Sequence, residues 1–187
     1  MIKSDKRKLR EFFVKKRLSL NPAEIYKNSQ KIRRSIKSLP QIENKNAIAA
    51  YFAVNNEPNI QEVIDHFLKT KNIVIPAYFE DLEKYKFVRL YSLENLKIGP
   101  YKISQPLKLI PFDSKNIDLT FIPGLAFSEG GLRLGYGKGV YDKLTANTNA
   151  LKIGVCFDFQ VIDNFNAESH DLRVDFIITE KRIIKTS

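Results

Sequence analysis

Apolar positions follow a helical period at the start of the chain and a strand period after it. Leu9, Phe12, Phe13 and Leu20 recur at helical spacing behind Ser4, which predicts a first helix with Ser4 as its cap. Asn21-Pro22-Ala23-Glu24 reads as a second start, with a cap, a proline at the first helical position and an acid three residues after the cap. Ile25, Ile32, Ile36 and Leu39 form its apolar stripe, and Pro40 follows its end. The two helices make a basic hairpin with one apolar side.

The period then changes. "AIAAYFAV" (47–54) and "NIVIPAY" (72–78) predict buried strands, separated by a helix with Ile60, Val63, Ile64, Phe67 and Leu68 on one face. "KFVRLY" (86–91) alternates, as an exposed strand or hairpin arm does. "DLTFIPG" (118–124), "LKIGVCF" (151–157) and "VDFIIT" (174–179) supply further strands, and a short helix is expected after residue 139. The proline-bearing segment 93–117 is expected to wrap the surface. Continuous apolar strands alternating with helices predict a mostly parallel sheet covered on both faces, in one domain spanning 1–187. Ligands of such sheets sit beyond the carboxyl ends of the strands. The exits "AYFAVNNEP", "IPAYFED" and "IPGLAFSEGG" should therefore face one crevice.

Composition narrows the setting. No apolar run approaches the roughly 18–20 residues of a membrane span, and the N-terminus has no signal-peptide pattern, so a cytoplasmic protein without a membrane partner is expected. One cysteine, Cys156, excludes an intramolecular disulfide and reads as a core thiol; His66 reads as surface. The net charge of +10 is local. Residues 1–37 hold 13 of the 31 Lys and Arg but 3 of the 21 Asp and Glu, leaving 18 of each sign in the remainder. Such a block attracts polyanions: nucleic acid, nucleotide phosphates or a polycarboxylate.

"GGLRLGYGKGVYD" (130–142) gathers five of the eight glycines around Arg133 and Lys138. Glycines let backbone N–H groups close on an anion, and a following helix adds its positive end; the alternative is a glycine-rich strand-to-helix turn. It is not a P-loop, because Leu132 stands at the first glycine position and Gly139 follows Lys138 where Ser or Thr is required. Nor do the strictly alternating Gly135, Gly137 and Gly139 match the dinucleotide fingerprint. Asp142 beside an anion cradle suggests a divalent cation between carboxylate and phosphate.

The stretch "FIPGLAFSEGGLRLGYGKGVYD" (121–142) resembles the signature of the 5-formyltetrahydrofolate cyclo-ligase family. "KRKLR" (6–10), "NNEP" (55–58), "SQP" (104–106) and "ESHDLRVDFIITE" (168–180) are similar to other blocks of that family, so the resemblance spans nearly the whole chain. It implies a three-layer α/β/α, Rossmann-like fold behind the helical hairpin. It further implies ATP- and magnesium-dependent closure of 5-formyltetrahydrofolate to 5,10-methenyltetrahydrofolate, through a phosphorylated formyl (imidate) intermediate, with ADP and phosphate released. By position, ATP would meet Lys6, Arg10, Arg133, Leu134, Gly135, Tyr136, Gly137, Lys138, Gly139 and Tyr141, with Arg133 and Lys138 catalytic. Phe52, Glu57, Tyr78 and Tyr141 would contact folate, and Asp142 and Asp171 would bind Mg2+. His170, beside Asp171 in sequence, stays an open candidate for a place near the metal or nucleotide. A monomer with no nucleic-acid partner is expected, with folate arriving with or without a polyglutamate tail; Lys15, Lys16 and Arg17 are expected to receive such a tail. The sequence departs from the family pattern at Ser128, where Asp is frequent, at Val140, where an aromatic is frequent, and at Phe165-Asn166 in place of Leu-Pro. These departures leave room for a relative acting on another substrate, and the basic hairpin for a polyanion-binding module.

Overall fold

The computed structural model describes residues 5–168 and 171–186. The elements are, in order, α1 (Lys6–Leu18), α2 (Pro22–Lys37), β1 (Ala47–Ala49), α3 (Gln61–Leu68), β2 (Asn72–Phe79), β3 (Lys84–Leu90), β4 (Leu96–Ile98), β5 (Ser104–Pro106), β6 (Leu119–Pro123), β7 (Ala126–Ser128), β8 (Arg133–Leu134), α4 (Val140–Thr145), β9 (Leu151–Val155), β10 (Val161–Ile162), β11 (Phe176–Ile178) and β12 (Ile183–Lys185). Seven strands form the central sheet in the order β12-β11-β9-β6-β1-β2-β3. The five inner strands are mutually parallel, and β3 and β12 are antiparallel edges. The fold is thus mixed α/β with a mostly parallel sheet and helices on both faces.

Alternation along the strands separates those faces. Ile48, Ile73 and Ile75 pack with Ile32 and Ile36 of α2 and with Val63, Ile64 and Phe67 of α3. The intervening Ala49 and Val74 point the other way, toward Phe87, Leu144 of α4 and Ala150. A half-buried strand has this period of two, and the inner strands have both sets covered.

The helical hairpin starts as its caps dictate. Asn21 caps α2, its side chain accepting from Ala23 N–H ahead of Pro22. Asp5 caps α1, accepting from Arg7 N–H at 2.9 Å; Ser4, expected in that role, lies outside the described residues, as does His170. α1 packs on a second, small sheet, β10-β7-β8, through Phe13 against Leu125, Ala126, Leu132 and Leu134. Phe12, expected in the same stripe, is exposed, with the Lys16 ammonium 5.6 Å from its ring centre.

Two strand expectations need correcting. β1 ends at Ala49, and the apolar run continues to Val54 only because Tyr51 and Phe52 are buried outside the ladder. The chain then turns at Asn55 and Asn56, with φ of 49° and 59°, a conformation asparagine tolerates better than most side chains. β2 runs on to Phe79 and hairpins into β3, so "IPAYFED" is not an exit at the same level as the others. Segment 93–117 carries the β4–β5 hairpin and short 3₁₀ turns. The departures noted in the sequence serve packing: Ser128 Oγ accepts from Leu132 N–H at 3.0 Å, Val140 packs beside Leu144, and Phe165 is buried against the α1 cluster.

Candidate active site

A cavity of about 1530 Å³ opens beyond the carboxyl ends of β1 and β6. Its walls bring together Lys6 and Arg10 from α1, Phe52 and Glu57 after β1, the whole run Arg133–Asp142, and Asp171. These residues are far apart in sequence, and the parallel sheet is what collects them.

The glycine-rich loop leaves β8 and enters α4. Among the described residues, no backbone N–H from Gly135 to Gly139 donates to another group, so this stretch presents open donors. Gly137 and Gly139 have φ of 87° and 65°, which side-chain-bearing residues adopt only with strain. Gly135 serves close approach instead. A Cβ there would lie 2.5 Å from Arg133 Nη1, so the guanidinium rests directly against the loop backbone. Arg10 Nε donates to Gly135 O at 3.0 Å and covers the loop from α1, while Lys138 is exposed on the rim. α4 has only six residues, so the cradle rests on these donors and cations more than on a helix end.

Arg133 lies beneath the loop, buried. Its Nε donates to Pro123 O at 2.8 Å, its Nη1 is 3.6 Å from Asp142 Oδ2, and its guanidinium sits 5.1 Å from the Tyr141 ring centre. Burial lowers its pKa, opposed chiefly by Asp142. Burial likewise raises the Tyr141 phenol.

Asp142 and Asp171 are joined through the chain. Asp142 Oδ1 accepts from Leu172 N–H at 3.3 Å, and Asp171 is the preceding residue. Lys6 Nζ is 2.7 Å from Asp171 Oδ2 and 3.2 Å from Glu168 Oε1. Among the described residues there is no cluster of three or more His, Cys, Asp or Glu able to hold a metal alone. Asp142 and Asp171 supply hard oxygens of the kind that suit magnesium when further oxygen ligands join them.

Glu57 is the buried acid of the cavity. Val54 N–H donates to its Oε2 at 3.1 Å, and Arg17 Nη2 is 3.6 Å from its Oε1. Burial raises its pKa, and Arg17, the Val54 N–H and Arg133 oppose that shift.

Tyr78, expected at the folate, is not among the residues lining the cavity. Its N–H donates to Gln105 Oε1 at 2.9 Å and its ring tilts onto Tyr85, inside the β2–β3 hairpin. The tail-binding set Lys15, Lys16 and Arg17 is also not as expected: none lines the cavity, and Arg17 is 1% exposed. Arg17 was legible in the spacing. It follows Leu9 and Phe13 by four-residue steps, on the inward face of α1. Tyr101 and Lys102, unmarked by any motif, line the cavity with left-handed backbones of φ 55° and 62°.

Fold and cavity together define a class: an α/β domain with a cavity at its strand ends between a cationic glycine loop and a buried acid. The model of the 5-formyltetrahydrofolate cyclo-ligase family matches residues 2–180, and the chain belongs to that family. It is 31% identical over 180 residues to the 5-formyltetrahydrofolate cyclo-ligase of Mycoplasma genitalium, covering 93% of this chain and 97% of that one. The mouse protein of the same name is 28% identical over 193 residues, covering 96% and 95%. The Aquifex aeolicus 5,10-methenyltetrahydrofolate synthetase structure superposes with a TM-score of 0.87 at 30% identity, over 96% of this chain and 92% of that one. The Mycoplasma pneumoniae synthetase gives 0.77 at 27% identity, over 94% and 99%.

Proposed function

We propose that this chain uses ATP to close 5-formyltetrahydrofolate to 5,10-methenyltetrahydrofolate, releasing ADP and phosphate. The observation that carries the reading is the joint occupancy of one cavity by an open-donor glycine loop with its cations and by a buried carboxylate between aromatic walls. The first suits phosphates and the second suits the adjacent N–H donors of a pterin.

The chemistry requires both. A formamide oxygen leaves poorly, so it first attacks the γ-phosphorus, the bond to the β-phosphate oxygen breaks, and ADP departs. N10 then attacks the formyl carbon, the carbon–oxygen bond breaks with phosphate leaving, and the N10 proton is lost. Closure is intramolecular, so holding N10 against the carbon replaces a costly encounter. The protein's work is alignment and charge balance on the transferring group.

Arg10, Lys138 and the N–H groups of 135–139 hold the phosphates, with Leu134, Tyr136 and the buried Arg133 shaping the loop from within. Asp142 and Asp171 would hold Mg2+, which when bound neutralises phosphate charge. Glu57 accepts from the pterin, with Phe52 and Tyr141 alongside. One chain supplies every group named, so a monomer suffices.

The test is methenyltetrahydrofolate absorbance with the purified protein. It should rise only when 5-formyltetrahydrofolate, ATP and magnesium are all present. Product without ATP, or no product from folded protein, defeats the proposal.

A further inference from the structure

We propose that Arg17 is a positioning residue that holds the Glu57 carboxylate and the glycine loop at Tyr136 in one fixed relation, a role that rests on the reading of the site given above. Its guanidinium is 1% exposed and fans out to separate segments of the cavity wall. Nε donates to Asn55 O at 2.8 Å, in the turn that presents Glu57. Nη1 donates to Gly124 O at 3.0 Å, just past β6. Nη2 donates to the Tyr136 hydroxyl and stands 3.6 Å from Glu57 Oε1. The same contacts are tied a second time: Asn55 Nδ2 reaches the Tyr136 hydroxyl at 3.2 Å, and Asn56 Nδ2 donates to Arg17 O at 3.2 Å.

Arginine suits this place because its planar fork offers several donors in fixed directions, which lysine's point charge does not. A buried charge is a poor way to fill space, since apolar side chains of similar volume often serve stability as well or better. What Arg17 adds is geometry. It joins α1, the strained Asn55–Asn56 turn, the end of β6 and the loop, at the seam between the two ligand surfaces. On the proposed reaction, the γ-phosphorus must meet the formyl oxygen, and a misplacement of about 1 Å costs roughly 100-fold in rate.

The charge matters as well as the fork. Around Glu57 stand Arg17 from α1, Arg133 from β8, and the phenols of Tyr51, Tyr136 and Tyr141. Arg17 is foremost among the groups that oppose the burial of Glu57, so its loss leaves Glu57 taking up a proton at higher pH.

The experiment compares the whole chain with Arg17→Gln, Tyr136→Phe and the double variant. Steady-state kinetics are followed across pH, and backbone amide order parameters are measured by NMR relaxation without ligands. Arg17→Gln should lower kcat/KM for 5-formyltetrahydrofolate about 100-fold and move its acid limb to higher pH. Order parameters should fall both in 53–58 and in 134–139 while β6 and β9 keep theirs. Tyr136→Phe, at an exposed residue that the fold does not need, should lower kcat severalfold and lower the order parameters of the same two segments. In the Arg17→Gln background it should add almost nothing. Changes confined to α1 or to one segment, an unmoved acid limb, or additive effects of the two substitutions would overturn the proposal. If Arg17→Gln does not fold, the order parameters of Tyr136→Phe decide: both segments support the role, one or neither removes it. Wild-type protein that makes no methenyl product would instead defeat the functional reading, while the order parameters still report on Arg17.

Discussion

Replacing Gly135 by alanine tests the packing of the glycine loop on Arg133. Gly135 does not have a positive φ, so alanine meets no backbone strain there, and any cost comes from the added methyl. That methyl would lie 2.5 Å from Arg133 Nη1 and 3.0 Å from both Cζ and Nη2. Restoring ordinary contact requires the guanidinium to retreat by about 1 Å. A surface arginine would swing away, but Arg133 is 8% exposed, bonded to Pro123 O at 2.8 Å and backed by the Tyr141 ring. The retreat sacrifices a hydrogen bond from a charged group, worth about 1.5–3 kcal/mol, and weakens a cation–π contact worth about 0.5–1 kcal/mol. A loss of about 2–4 kcal/mol follows, which in a domain of this size lowers Tm by roughly 5–15 °C.

Thermal and urea unfolding of wild type, Gly135→Ala, Arg133→Met and the double variant measure this directly. In the Arg133→Met background the methyl has room, and Gly135→Ala should cost less than about 0.5 kcal/mol. A cost that persists unchanged without the guanidinium refutes the reasoning, and so does a Gly135→Ala protein as stable as wild type. Either result would mean the loop and Arg133 do not share that contact.

Asp142→Asn keeps an acceptor for Leu172 N–H and removes the charge, so Tm should hold within a few degrees while product formation falls on the order of 100-fold and no longer saturates with magnesium; an unchanged magnesium titration would clear Asp142 of the role. Burial raises the Glu57 pKa, so its carboxylate is lost on acidification earlier than an exposed glutamate's. Thus kcat/KM for folate should rise with pH through that limb in wild type. Glu57→Gln should lose about 10–100-fold in kcat/KM and show no such limb, and a limb that survives the substitution assigns it to another group. Ile36→Ala, at a fully buried position between α2 and the sheet, should cost about 2–5 kcal/mol in urea unfolding with kcat of the folded protein unchanged; a fall in kcat would tie that face to the site.

What the sequence showed and what it hid have physical causes. The helices and inner strands were readable because period and burial coincide in them, as in α3 with Val63, Ile64 and Phe67 inward. The end of β1 was not readable, since a buried residue outside a ladder has the same apolar signal as one inside it; Tyr51 and Phe52 are such residues. The small strands β7, β8 and β10 have two or three residues each, too few to show a period, and β10 is set by its pairing with the distant β7. The gathering of glycines and cations into a candidate anion cradle could be read from composition, whereas the inward turn of Arg133 depends on Gly135 lacking a Cβ, which only three dimensions reveal. Tyr78 is kept from the cavity wall because β2 runs three pairs beyond Pro76 into its hairpin with β3. Arg17 was misassigned because its charge outweighed its place on the inward stripe of α1.

The resting cavity also bears on how acids and bases would share the proposed phosphate site. Each carboxylate given a ligand role has a resident cation: Lys6 at 2.7 Å from Asp171, and Arg133 and Arg17 each at 3.6 Å from Asp142 and Glu57. A naked buried carboxylate would be costly, and a paired one is tolerable. On the proposed reaction, Asp142 and Asp171 would hold magnesium, and Lys6 and Arg133 would turn their charge to the phosphates. Cation and anion then exchange partners and neither is left alone, so binding proceeds without a step that strands a charge. Glu57 is different, for Arg17 is bound to fixed carbonyls and a phenol and does not follow the ligand. The acid proposed to meet the pterin therefore keeps its partner throughout, and its position is set by the protein instead of by the substrate.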